Sequence, residues 1–253
     1  MEHMAPEVAA LLSPPDIMKA GKVLCIQPHP DDNEIGMGGI IAKLAQAGCE
    51  IHYLTVTNGD MGNRDRSATP QETAAIRHSE TIAAGKHLGT AHFHFLDHGD
   101  GTLEAVLPLS IEIASVIRQV KPQAIFAPDP WLSYECHLDH TVTGKAAANA
   151  FLMAGRAHFP DDGATEAWTP EAIGFYFTAK PNTVVDITDT FDRKFEAMAL
   201  HDSQMDPQTL GLYRIWFGMM GQELAAGKGF ALGEGLKVLS QLHAHCFVKA
   251  ADT

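Results

Sequence analysis

The chain lacks any Cys-x-x-Cys pair: its four cysteines stand apart at Cys25, Cys49, Cys136 and Cys246. That spacing excludes a zinc ribbon and offers no disulfide framework. The thiols read instead as small groups kept reduced, with Cys136, beside a histidine motif, the one open to oxidation. The sequence also lacks an apolar run of the ~18–20 residues needed to cross a bilayer. Residues 1–20 carry Glu2 and Glu7 and no basic segment ahead of an apolar stretch. This argues against a secretory signal and for a cytoplasmic protein. Positive charge is scarce, with 18 Lys and Arg against 31 Asp and Glu and a net charge of −13. Such a chain repels phosphate backbones and anionic lipid, so nucleic acid and membranes are not expected partners, whereas a neutral sugar is not repelled. There is no internal repeat and no low-complexity segment.

What is present is ample material for one α/β unit: 253 residues, 45% of them hydrophobic, and 14 histidines. Short apolar, β-branched runs at 22–27, 50–57, 92–96 and 124–127 predict strands. Between them lie helical stretches at 40–46, 70–88, 107–120 and 139–153. Thr69-Pro70-Gln71-Glu72 carries the marks of a helix start, with Thr as N-cap, Pro first and Glu third. Further strands are expected at 172–178 and 183–187 and a helix at 188–201. The tail, 207–226 and 235–247, is expected to be mostly helical. Strands alternating with helices imply a single-domain, Rossmann-like, doubly wound and mostly parallel sheet with helices on both faces. The core is expected at about 22–204, with a helical C-terminal extension over 205–253. In a 3-2-1-4-5 strand order the first and fourth strands are neighbours, and ligands bind in the crevice at their carboxyl ends. The loops after those two strands should therefore face each other.

Both loops carry chemistry. The first holds His29-Pro30-Asp31-Asp32 and the second His137-Leu138-Asp139-His140. Either alone also reads as a turn with a helix cap, or as packed histidines. Together, after strands expected to be adjacent, they read as a metal site. Catalytic zinc takes three protein ligands and keeps one position for water. His29 and Asp32 from one loop and one histidine from the other supply such a set. Of the remaining carboxylates, one suits a general base and one an orienting partner for a histidine. The same donors also suit iron(II), cobalt or nickel. Gly36-Met37-Gly38-Gly39 does not continue into a dinucleotide fingerprint, because position 41 is Ile41. Those glycines read as close helix–sheet packing.

These segments resemble the PIG-L/LmbE-like family of zinc-dependent N-acetyl deacetylases, and within it most the diacetylchitobiose deacetylases. The resemblance rests on His29-Pro30-Asp31-Asp32 with Gly36, Gly38 and Gly39, on Arg77-x-x-Glu80, on Asp97, and on His137-x-Asp139-His140. It extends to Lys194, Ala197, His201, Ser203 and Gln204. It implies zinc on His29, Asp32 and His140, with Asp31 as the general base. It gives His137 the oxyanion and the leaving amine, and Asp139 the orientation of a histidine. Arg77 and Asp97 would contact sugar hydroxyls, with Trp131 and Tyr134 helping to position the sugar. Asn33 and Leu138 stand where the wider family often has Glu and Pro, which loosens the substrate more than the chemistry. The implied substrate is an N-acetylglucosamine-containing sugar. A thiol–sugar conjugate or another N-acyl amine is the alternative, and a non-catalytic metal- or nucleotide-binding module a further one. A homo-oligomer, trimer or hexamer, is implied too, in which His243 or His245 would complete a neighbouring site.

Overall fold

The computed structural model describes residues 12–63, 67–159, 166–250 and 252. Parts of the expected loops at 58–69 and 154–170, and most of the N-terminal stretch, lie outside the described residues. The seven strands are β1 (Lys22–Gln27), β2 (Glu50–Thr57), β3 (His92–His98), β4 (Ala124–Pro128), β5 (Ala172–Tyr176), β6 (Thr183–Asp186) and β7 (Gly233–Ser240). They form one sheet in the order β3-β2-β1-β4-β5-β7-β6. β1 to β5 run parallel, and β7 runs antiparallel to both β5 and β6. β1 and β4 are neighbours, as the alternating pattern requires.

The helices are α1 (Asp32–Gln46), α2 (Pro70–Leu88), α3 (Val106–Val120), α4 (Leu138–Met153), α5 (Phe191–Met198) and α6 (Pro207–Ala225). Two cores result, one on each face of the sheet. Val23, Cys25, Tyr53 and Phe126 meet α1, α2 and α5 on one face, while Leu24, Ile26, Leu54 and Ile125 meet α3 and α4 on the other. α2 begins as its sequence suggests: the Thr69 side chain and Glu72 form a complete capping box, and Gly89 ends the helix at φ 105°.

Two expectations need correction. α1 starts at Asp32, well before residue 40, and kinks at Met37, whose φ of −150° is not helical, with Gly36 before the kink and Gly38 and Gly39 after it. A Cβ on Gly36 would come within 2.4 Å of the Tyr176 ring, and one on Gly39 within 2.8 Å of Ile187. Close packing against β5 and the segment after β6 thus overrides weak helix propensity. The segment from 233 to 240 is a strand rather than part of a helical tail, because it pairs on both sides, with β5 and β6. Such long-range pairing leaves little local trace. No helix among the described residues is long and apolar enough to cross a membrane.

Candidate active site and metal centre

The loop after β1 turns directly into α1. Asp31 is the residue before the helix and sits at φ 116°, a left-handed conformation that costs a non-glycine residue energy. Arg77, on α2, holds it there. Its Nη2 donates to the Pro30 carbonyl at 2.7 Å and to Asp31 Oδ2 at 3.3 Å, and its Nη1 donates to the Gly59 carbonyl at 3.2 Å. Across the crevice, α4 starts at Leu138, so His137 caps it and Asp139 and His140 fall in its first turn.

The two loops meet as expected. The His29 and His140 ring centroids are 5.3 Å apart, and those of His29 and His137 are 4.5 Å apart. His29 Nδ1 lies 3.2 Å from Asp32 Oδ2, and His140 Nε2 lies 3.4 Å from the same oxygen. His29, Asp32 and His140 each present a ligand atom within 4.8 Å of the others. The far nitrogen of His29, Nε2, lies 3.2 Å from both Asp100 Oδ1 and Asp139 Oδ2. Asp139 is fully buried and also accepts from the Gly101 and Leu103 N–H groups at 2.7 and 3.3 Å. Asp139 thus sets one carboxylate oxygen against the His29 ring while both of its oxygens accept from backbone N–H groups. The other ring nitrogen, Nδ1, faces Asp32 and the His140 ring.

The electrostatics follow from this crowding. Burial pulls His29 down, but hydrogen bonds to Asp100, Asp139 and Asp32 outweigh it and push the imidazole up to about 12. Burial would raise Asp32, yet the His140 and His29 imidazoles hold it well below the usual carboxylate range. Burial and the Asp32 charge push Asp31 up to about 6, against the Arg77 guanidinium. Within this cluster His140 Nδ1 is buried without a hydrogen-bond partner, with Glu135 Oε2 3.6 Å away. Two imidazoles and a carboxylate converging in so negative a pocket fit a divalent cation. A second grouping, His29, Asp100, His137 and Asp139, is equally close. There, however, Asp139 is already committed to two backbone N–H groups.

The substrate-side expectations fare unevenly. Arg77 is 4% exposed and donates through Nη1 and Nη2 to Pro30, Gly59 and Asp31, so it braces the loop that carries Asp31. Asp97 is exposed and lines a separate cavity of about 230 Å³ with Pro30, Thr57 and His78. The acid that does reach the site from that loop is Asp100, which the motif reading missed. Its signal was the run Gly99-Asp100-Gly101, with Gly101 at φ 73°. Trp131 is 63% exposed, packs edge-on against Phe175, and lines a neighbouring cavity; Tyr134 is 97% exposed. The cleft that opens onto Asp32 and His140 measures about 580 Å³ and is walled by Phe177, Lys194, Tyr213, Trp216 and Phe217. Three of its aromatics, Tyr213, Trp216 and Phe217, come from α6, which the motifs do not touch. The late family positions brace the back of the site. His201 Nε2 meets buried Glu34 at 3.2 Å, Ser203 Oγ donates to Glu80 at 2.7 Å, and Gln204 Nε2 donates to the Gly62 carbonyl at 2.8 Å. His243 is buried, bonded to Ser240 and the Leu12 carbonyl, while His245 is exposed.

Fold and site together define an enzyme of the doubly wound α/β class, with acid–base groups and a cation-ready His/Asp/His set in its switch-point crevice. A model of the family described as "PIG-L: GlcNAc-PI de-N-acetylase" matches residues 24–151. The chain is 36% identical over 227 residues to the diacetylchitobiose deacetylase of Thermococcus kodakarensis, which covers 88% of this chain and 85% of that one. A solved structure, the N,N'-diacetylchitobiose deacetylase from Pyrococcus horikoshii complexed with its inhibitor MPG, superposes with a TM-score of 0.87 at 32% identity over 98% of each chain. The 4-carboxy-2-hydroxymuconate hydratase GalB of Pseudomonas putida, 22% identical with a TM-score of 0.75 over 86% of this chain and 95% of that one, shares the fold alone. The chain belongs to the PIG-L family, which bears out the resemblance carried by its motifs.

Proposed function

We propose that this protein hydrolyses the N-acetyl amide of an N-acetylglucosamine-containing sugar, releasing acetate and a free amine, with zinc as its metal. The observation that carries the reading is the joining of His29 and Asp32 to His140 with Asp31 alongside. Its similarity to diacetylchitobiose deacetylases supports the substrate class. A cleft of about 580 Å³ accommodates one or two sugar rings, and Tyr213, Trp216 and Phe217 offer aromatic faces to them. Trp131 and Tyr134, exposed on the loop before His137, serve as rim contacts for a longer substrate.

His29 through Nδ1, Asp32 and His140 would hold the metal. A divalent cation held there would supply a water whose pKa is lowered from about 15.7 to about 7 and would polarise a carbonyl oxygen. Asp31 takes the proton of the attacking water. Its carboxyl, pushed up to about 6 by burial and by Asp32, is ionised yet basic near neutral pH. Arg77 fixes that carboxylate through Nη2. His137, exposed at the mouth of the crevice, donates to the oxyanion and passes a proton to the departing amine. Asp139 and Asp100 hold the His29 ring. The enzyme works in the cytoplasm, a reading that the two exposed free thiols, Cys136 and Cys246, support. It assembles as a trimer or hexamer, with exposed His245, rather than buried His243, free to reach a neighbouring copy.

Acetate release from N-acetylglucosamine, its β-1,4 dimer and thiol–sugar conjugates tests the substrate. Release from one of the first two is expected. Turnover confined to the thiol conjugates would reassign it.

A further inference from the structure

A second gathering of imidazoles lies away from the crevice, near the amino ends of β2 and β3. β3 is the edge strand of the sheet. His52 and His92 are register partners, as are Leu54 and His94, so the period-two alternation puts Glu50, His52, His92 and His94 on one face. On that face α3 and α4 cover the central strands, and the row of histidines lies beyond their apolar core.

We infer that Glu50, His52 and His92 form a second divalent-cation site, of the class that takes zinc, which ties the edge strand β3 to β2. Each residue presents a ligand atom within 4.8 Å of the others. His52 Nε2 is 2.8 Å and His92 Nε2 is 3.7 Å from Glu50 Oε1. The His52 and His92 rings stack with centroids 4.3 Å apart and planes 19° from parallel, which brings their nitrogens to one side. Behind them, His52 Nδ1 lies 3.1 Å from His94 Nε2. That is the arrangement of a metal-binding histidine, whose outer ring N–H is held by a partner while its inner lone pair faces the ion. Without a metal, His52 Nε2 and Glu50 Oε1 lie at hydrogen-bond distance, 2.8 Å apart. A cation takes that place once the His52 proton moves to Nδ1 and is donated to His94.

The site differs from a chance surface pair. The His52 side chain is 9% exposed, whereas those of Glu50 and His92 are 42% and 51% exposed, so the ion has both a buried anchor and an open path. Lys22 Nζ, 3.2 Å from Glu50 Oε1, is the one cation already there among the described residues and competes for the carboxylate. β3 leads directly into the loop that carries Asp100 to His29, so fixing this edge steadies a strand that supports the active site.

Zinc content of the full-length protein, after equilibration with excess zinc and gel filtration, tests the inference. The wild type should retain two equivalents per chain. His92→Ala and His52→Ala should each retain one, and His92→Ala should keep its acetate-release rate within about twofold. Since His52→Ala removes a buried ring, exposed His92 is the decisive position. Amide hydrogen exchange on His92–His98 should slow when the second equivalent binds to the wild type and stay unchanged in His92→Ala. One equivalent in the wild type, two in His92→Ala, or protection elsewhere in the chain would overturn the site.

Discussion

Two clusters in this molecule share a donor set, two imidazoles and one carboxylate, and differ in everything around it. His29, Asp32 and His140 sit in a crevice at the carboxyl ends of β1 and β4. They are backed by Asp100, Asp139 and Arg77 and face an aromatic cleft. Glu50, His52 and His92 sit on the edge of the sheet with one backing imidazole, His94. The difference teaches that ligands alone hold an ion, whereas chemistry needs a base beside it and a walled space for substrate. The first cluster has Asp31, strained and held by Arg77, beside it, whereas the second is flanked by Lys22 and His94.

Mutations can break that contrast. The largest effect is expected from His140→Ala, which should remove the active-site metal and lower acetate release by about 10³-fold or more, since several kcal/mol of charge stabilisation is lost. Rate and metal content of this variant, set beside those of His92→Ala, separate the two clusters. Equal rates in both would erase the distinction. Asp31→Asn should keep the metal and lose about 10²–10⁴ in turnover, the usual worth of a general base. A near wild-type rate would remove Asp31 from that role. Asp139→Asn leaves every ligand in place but loosens His29, so metal affinity should fall about 10–100-fold by competitive chelation. Unchanged affinity would mean that the backing carboxylates are dispensable.

The smallest effect concerns the layer behind the crevice. His201 is fully buried against Glu34. Burial lowers its pKa, but the Glu34 hydrogen bond and charge outweigh this and raise it. A group raised in the folded state contributes fully below its unfolded value of about 6.5, and that contribution is lost as pH rises through the folded value. His201→Ala should cost about 1–3 kcal/mol for an unpaired buried partner. In denaturant melts the gap from wild type should be widest near pH 6 and narrow toward alkaline pH. A gap that widens with pH would contradict the pairing.

Much of this was legible before the fold was known. The apolar runs of β1, β2 and β4 and the punctuated helices between them marked a parallel sheet, and the two histidine motifs followed strands that proved adjacent. What the pattern hid depends on distant partners. Gly36 and Gly39 do pack closely, as their sequence suggests, but that the helix begins before residue 40 was hidden because its partners, the Tyr176 ring and Ile187, are distant in the chain. The strand from Gly233 to Ser240 borrows its conformation from β5 and β6. Arg77 and Asp97 stand in matching motif positions, yet a side chain's target depends on packing, which turned Arg77 inward to Asp31 and gave Asp100 the place beside His29. Part of the cleft wall comes from α6, whose aromatics read only as a helix face.

Acetate release from diacetylchitobiose by the same protein sample, measured before chelation, after it, and after zinc is returned to one equivalent per chain, addresses the crevice most directly. Activity should fall to background when the metal is stripped and recover with that first equivalent. A stripped sample that hydrolyses the amide at the original rate would contradict the account.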